Sequence, residues 1–212
     1  MKNLEPNIID ITPALHAGIG VWEGDTPFQL GMTLDREKGA PWTCGSVHMS
    51  LHTGAHADAP WHYLPEGQRI HEVSLEKYIG RATVFTIGGG GPIGPKELVP
   101  ILDFHPERLL IRSDPNRDFG IIPETFSYFT EPAARLLAET KLNLVGIDSP
   151  SVDDPALSVL KVHRILGEAG IAILENLDLS KAVDGDYELI ALPLKIEMGD
   201  ASPVRAILRK LS

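Results

Sequence analysis

Residues 52–62, HTGAHADAPWH, place the tightest limit on how this chain folds. Three of its eight histidines and one aspartate fall within eleven positions, with Gly54 where the backbone can turn and Pro60 where regular structure stops. Just upstream, SVHMSLH alternates like a strand, which puts His48, Ser50 and His52 on one face. Imidazole and carboxylate are the donors that zinc and related divalent ions accept, and a catalytic site keeps one position open. His52, His56 and Asp58 form such a set, the glycine letting the chain fold around one ion. His62 stands apart, beyond the proline. It can act as a further ligand or as the proton carrier that an imidazole of unperturbed pKa about 6.5 makes near neutral pH. The plain alternative for the whole stretch is a polar surface loop.

Composition narrows the setting. A chain of 212 residues with 43% hydrophobic and 23% charged content suits one soluble globular domain, residues 1–212. The formal charge of −10 argues against a sequence-independent grip on nucleic acid, and the lysines and arginines form no stripe. A small-molecule ligand or a protein partner fits better. The opening MKNLEPNIIDITP has no apolar core of a signal peptide, and no run approaches the roughly 18 apolar residues of a membrane span. Cys44, the single cysteine, has no partner within the chain and reads as an inert buried thiol. A cytoplasmic location is expected.

Short β-rich runs dominate the first half: NIIDI, FQLGMTL, CGSVHMSLH and RATVFTI. The second half alternates strand RLLIRS, helix EPAARLLAET, strand LNLVGID, helix ALSVLKVHRILGEA and strand IAIL, ending in YELIALPL and PVRAILRKL. This order predicts an α/β fold, a single domain with a mixed β-sheet core and flanking helices. Asp154 and Pro155 signal the start of the second helix, and Gly167 and Gly170 its end. Leu160, His163 and Leu166 share one of its faces, so His163 is expected to point inward.

Other chemistries find less support. No GxSxG elbow is present. Gly89, Gly91 and Gly94 match GxGxxG, and Asp114 follows at a suitable distance. Pro92 and Pro95 stiffen that loop, however, and the segment before Pro100 is short for a crossover helix, so a surface turn is the expectation.

HTGAHADAPWH resembles the H-x-G-[TA]-H-x-D-x-P-x-H motif of the cyclase-family metal-dependent hydrolases, and is most similar to their bacterial kynurenine formamidase branch. DITPALHAGIGVWEGDTPF, LVGIDSPSVD, GIAILENL and DYELIALPLKIEMGDASPVRAILR resemble further segments of that family, so the similarity runs along nearly the whole chain. Ala55 is a mild departure, standing where much of the wider family has threonine.

The resemblance implies the family's swivelling β/β/α fold and a binuclear zinc site, with manganese as an alternative metal. His52, His56 and Asp58 would hold one ion, and Asp58, His163 and Glu175 the other. His62 matches the family's acid/base residue and Trp22 an aromatic position against the substrate. The implied reaction is hydrolysis of N-formyl-L-kynurenine to L-kynurenine and formate in tryptophan catabolism, by hydroxide attack on the formyl carbon. The resemblance also implies a homodimer. Two alternatives remain: a same-family hydrolase of another aryl or cyclic amide such as isatin, and a non-catalytic zinc protein. Structural zinc usually recruits cysteines, which weakens the last. Trp61 is balanced between packing and a pocket role, Asp25 reads as a turn residue, and His16, His48, His71 and His105 read as structural or surface residues.

Overall fold

Parallel strands need a crossover of a dozen or more residues between them, and the chain between Thr86 and Ala172 supplies three. The computed structural model describes residues 7–211. Its main sheet runs in the order β1 (Ile8–Asp10), β13 (Ile207–Lys210), β11 (Gly185–Ile190), β5 (Ile79–Thr86), β7 (Arg108–Arg112), β9 (Leu144–Ile147), β10 (Ala172–Glu175), β4 (His56–Asp58) and β12 (Ala201–Pro203). The four central strands β5, β7, β9 and β10 are parallel. Helices α1 (Pro95–Leu102), α2 (Glu131–Ala138) and α3 (Lys161–Glu168) are their crossovers. Antiparallel strands extend the sheet at both ends. Two small pairs stand outside it: β2 (Gln29–Leu34) with β3 (Cys44–His48), and β6 (Pro92–Ile93) with β8 (Tyr128–Phe129). The single α/β domain with a curled mixed sheet and flanking helices agrees with the sequence reading.

Leu109, Leu110 and Ile111 show why the centre is so apolar. All three are fully buried, although neighbouring strand residues face opposite ways. Leu109 and Ile111 join Leu98, Leu137 and Leu166 beneath the helices. Leu110 joins Tyr78, Leu174, Leu189 and Leu208 inside the curl. Each such leucine contributes about 1.5–3 kcal/mol of burial, which anchors the strand ends that carry the polar site.

Four local readings are corrected. A helix, α1, does follow the glycine run, Pro95 starting its first turn and Pro100 lying within it. Its N-terminus holds no free anion site, since the Glu97 carboxylate accepts from the Gly94 amide at 2.9 Å. The helix expected from Pro155 begins only at Lys161, because Asp154 instead accepts from the Ala156 amide in a turn. The strand before the histidine motif ends at His48, so exposed His48 does not share a strand face with His52. Cys44 is exposed rather than buried, because the β2–β3 hairpin carrying it is exposed along both strands.

Candidate metal centre

Sheet register brings the first donors together. His56 lies directly across from Glu175 on β10, and Asp58 lies two residues on, on the same strand face. Gly54 turns the chain into β4 with φ +67°, a left-handed conformation that favours glycine. A Cβ there would lie 2.6 Å from Cδ2 of Leu15, so the close approach also needs a missing side chain. His52 precedes this turn, and α3 delivers buried His163.

Asp58 is the hub. Its Oδ1 lies 3.1 Å from Nδ1 of His52 and 3.4 Å from Nε2 of His56. Its Oδ2 lies 3.1 Å from Nε2 of His163, which is also 3.1 Å from Oε1 of Glu175. One carboxylate thus faces two donor groups: His52, His56 and Asp58, and Asp58, His163 and Glu175. The five residues singled out in the sequence meet here.

Each imidazole is held by its second nitrogen. Asp200 Oδ2 lies 3.1 Å from Nε2 of His52, the Gly54 carbonyl 2.8 Å from Nδ1 of His56, and Asp153 Oδ2 2.6 Å from Nδ1 of His163. Such partners fix which nitrogen remains free to act as a ligand. The Glu175 carboxylate is oriented in turn by the Val152 amide, which donates to Oε1 at 2.7 Å. In contrast, Nε2 of His56 and Oδ1 of Asp58 are buried without a hydrogen-bond partner among the described residues. Orphaned buried polar atoms carry a desolvation penalty of about 1–3 kcal/mol each, which a bound cation removes. The donor set therefore fits divalent metal.

Electrostatics agree. Burial disfavours charge on His52 and His56, yet the carboxylates outweigh it: Asp200 and Asp58 raise His52 to about 10, and Asp58 and Glu175 raise His56 to about 9. His163 also stands well above its ordinary value: burial opposes charge, but Glu175, Asp153 and Asp58 prevail. Burial pushes Asp58 upward, but the three imidazoles hold it well below the usual carboxylate range. This pocket of concentrated negative charge calls for cations, either protons or metal.

His62 sits on the outer edge. Its ring centroid is 4.3 Å from that of His52, and its Nδ1 lies 3.6 Å from Oδ2 of Asp200. His52, His62 and Asp200 form a third, more open donor group. Trp22 lies outside these groups, in an open cleft of about 690 Å³ with Gly20, Ile121 and Pro155, its ring edge-on to Phe126. Trp61 lies under the Arg69 guanidinium, 3.4 Å from its ring centroid. Asp25 turns the chain, accepting from the Thr26 amide at 2.6 Å.

Asp153 and Asp200 were not singled out in the sequence. Asp200 is 148 positions from the histidine it holds, and reaches it because β12 pairs with β4. Asp200 follows a turn at Met198, whose φ is +61°, a conformation the residue type itself does not announce.

Residues 9–154 match the family described as "Putative cyclase". The chain belongs to the cyclase family. It is 38% identical over 206 residues to a protein of Bacillus mycoides (strain KBAB4) named kynurenine formamidase, covering 96% of this chain and 97% of that one. A structure described as a predicted metal-dependent hydrolase from Bacillus stearothermophilus shares 27% identity, with a TM-score of 0.80 over 95% of this chain and 97% of that one. Isatin hydrolase A from Labrenzia aggregata, at 23% identity, shares the fold with a TM-score of 0.81 over 95% of this chain and 92% of that one. Among the described residues of this family member, no helix is long and apolar enough to cross a membrane.

Proposed function

We propose that this chain is a metal-dependent amide hydrolase that converts N-formyl-L-kynurenine to L-kynurenine and formate. The paired donor groups sharing Asp58 carry the reading, in a chain 38% identical to a kynurenine formamidase along nearly its full length. His52, His56 and Asp58 would hold one ion, and Asp58, His163 and Glu175 a second. Imidazole with carboxylate suits zinc, and manganese accepts similar shells. When bound, such ions polarise a carbonyl and make water acidic enough to attack near neutral pH.

The chain's own residues do the rest. The formyl C–N bond breaks, the oxygen from water stays with the formyl carbon, and the departing aniline nitrogen takes a proton. His62, half-open to solvent beside Asp200, is placed to deliver that proton. Positioned proton transfer is worth about 10²- to 10⁴-fold. Trp22 offers an exposed indole face for the substrate's aryl ring. Asp153, Asp200 and the Gly54 carbonyl hold the imidazoles so that no reorganisation is needed during the reaction.

The proposal includes a cytoplasmic homodimer with a small-molecule substrate. Support for the dimer comes from the β2–β3 hairpin, where Leu30 (58%), Met32 (49%) and Val47 (56%) are exposed, an apolar arm suited to a second copy.

The test is metal analysis by plasma mass spectrometry beside an assay of the same batch on N-formyl-L-kynurenine and isatin. A pair of ions per chain, with formate released and both lost to a chelator, supports the proposal. Metal with activity on isatin alone replaces the substrate. No metal after zinc is added back rejects the centre.

A further inference from the structure

A cavity of about 240 Å³ opens at the end of β4, and the reaction above gives it no role. Asp58 forms its inner end. Buried Tyr63, Val73 and Tyr78 form its walls, and Gln68 and Lys77 stand at its mouth, where they are exposed or half-buried. It shares no lining residue with the cleft that holds Trp22, and Asp58 is its one link to the donor groups among its lining residues.

Tyr63 is the partition between cavity and centre. Its ring centroid lies 5.3 Å from that of His163 and 6.2 Å from that of His62. The ring stands there because residue 167 is glycine: a Cβ at that position would be 2.3 Å from Cε2 of Tyr63. The hydroxyl of Tyr78, a fully buried side chain, has no hydrogen-bond partner among the described residues. It is a donor in need of an acceptor. Lys77 places an ammonium at the mouth, where it donates to the Gly170 carbonyl.

Size suits the smaller product, and the lining suits an anion. Pockets for drug-sized ligands measure about 300–1,000 Å³, whereas one water takes about 30 Å³. A space of about 240 Å³ is ample for a one-carbon carboxylate with several waters. The hydroxyl of Tyr78 and the Lys77 cation supply donor and counter-charge along the way.

We propose that this chamber is the exit for the small carboxylate product, so that formate leaves past Tyr63 and Tyr78 while L-kynurenine leaves by the Trp22 cleft. The inference rests on the formamidase reading. Separate exits free each product from waiting on the other, and product release is often what limits kcat.

Two variants of the metal-loaded full chain test the route. Gln68→Trp fills the exposed mouth, leaving unchanged the backbone carbonyl that accepts from the Trp61 amide. Val73→Phe narrows the interior. The expected result is a first turnover to L-kynurenine at the wild-type rate, then a steady state slowed roughly tenfold or more. Tyr78→Phe, which removes only the hydroxyl, should slow the steady state by less while keeping the first turnover. If both blocking variants keep wild-type metal content and melting temperature and cycle at the wild-type rate, the route is wrong. An equally slowed first turnover in both also overturns it, since an exit does not touch the chemistry. If the wild-type protein releases no formate from N-formyl-L-kynurenine, the underlying reading falls and takes this route with it.

Discussion

Asp153 lies 2.6 Å from Nδ1 of His163 and so turns the other ring nitrogen toward Asp58 and Glu175, each 3.1 Å away. The same carboxylate accepts from the amides of Val162 and His163 at 2.8 and 3.0 Å, at the start of α3. One side chain thus starts the helix and aims the imidazole that the helix carries. Asp153→Asn keeps much of the shape but loses the charge that favours a ligating tautomer. It is expected to weaken metal binding by about 10- to 100-fold. Asp153→Ala should add a helix-capping loss of about 1 kcal/mol. Chelator competition and thermal melting separate the two effects, and an Asp153→Asn protein with wild-type metal affinity would remove Asp153 from the centre.

His62 and Asp58 should fail differently. Asp58 touches both buried donor groups, so Asp58→Ala is expected to lose metal and activity together. His62 belongs only to the open group with His52 and Asp200, so His62→Ala should keep metal while kcat drops by about 10²- to 10⁴-fold. Metal analysis beside steady-state kinetics reads both. Equal metal loss in the two variants would make His62 a ligand.

How much of this was legible in the sequence follows distance along the chain. His52, His56 and Asp58 were readable because one turn and one three-residue strand bring them together. The alternation of the second half was readable because strands buried on both faces are continuous apolar runs. His163 and Glu175 entered through family resemblance, since their meeting with Asp58 depends on the pairing of β10 with β4 and on how α3 packs. Asp200 depends on the β12–β4 pairing and leaves no periodic signal. The start of α3 was misplaced because Asp154 and Pro155 are equally good turn residues, and the turn won.

Gly54 offers a test of the turn itself. An alanine there must adopt φ +67° and place a methyl group 2.6 Å from Cδ2 of Leu15. The left-handed conformation alone costs about 1–2 kcal/mol, and relief of the contact must move Leu15 or the start of β4. Gly54→Ala is therefore expected to lower the melting temperature and to loosen metal binding, because His52 and His56 flank the turn. Chemical denaturation and chelator competition report the two losses. Unchanged metal affinity in a destabilised variant would mean that the turn shapes the fold without setting the centre.

The pH dependence of stability distinguishes protons from metal in the same pocket. In metal-free protein, burial opposes charge on His52 and His56, but neighbouring carboxylates raise them to about 10 and about 9, against an ordinary value of 6.5. Between those values the folded chain keeps protons that the unfolded chain has released, so stability falls as pH rises. The contribution is fully present below about 6.5 and is lost as pH passes through about 9 to 10. Bound metal needs neutral imidazoles and displaces those protons, so the loaded protein lacks this loss. Melting temperature measured from pH 6 to pH 10 should fall steeply without metal and stay flatter with it. Loading should also release protons into a weakly buffered solution. A metal-free melting temperature that holds steady or rises across that window would show that Asp58 and Asp200 do not hold the imidazoles in their protonated form.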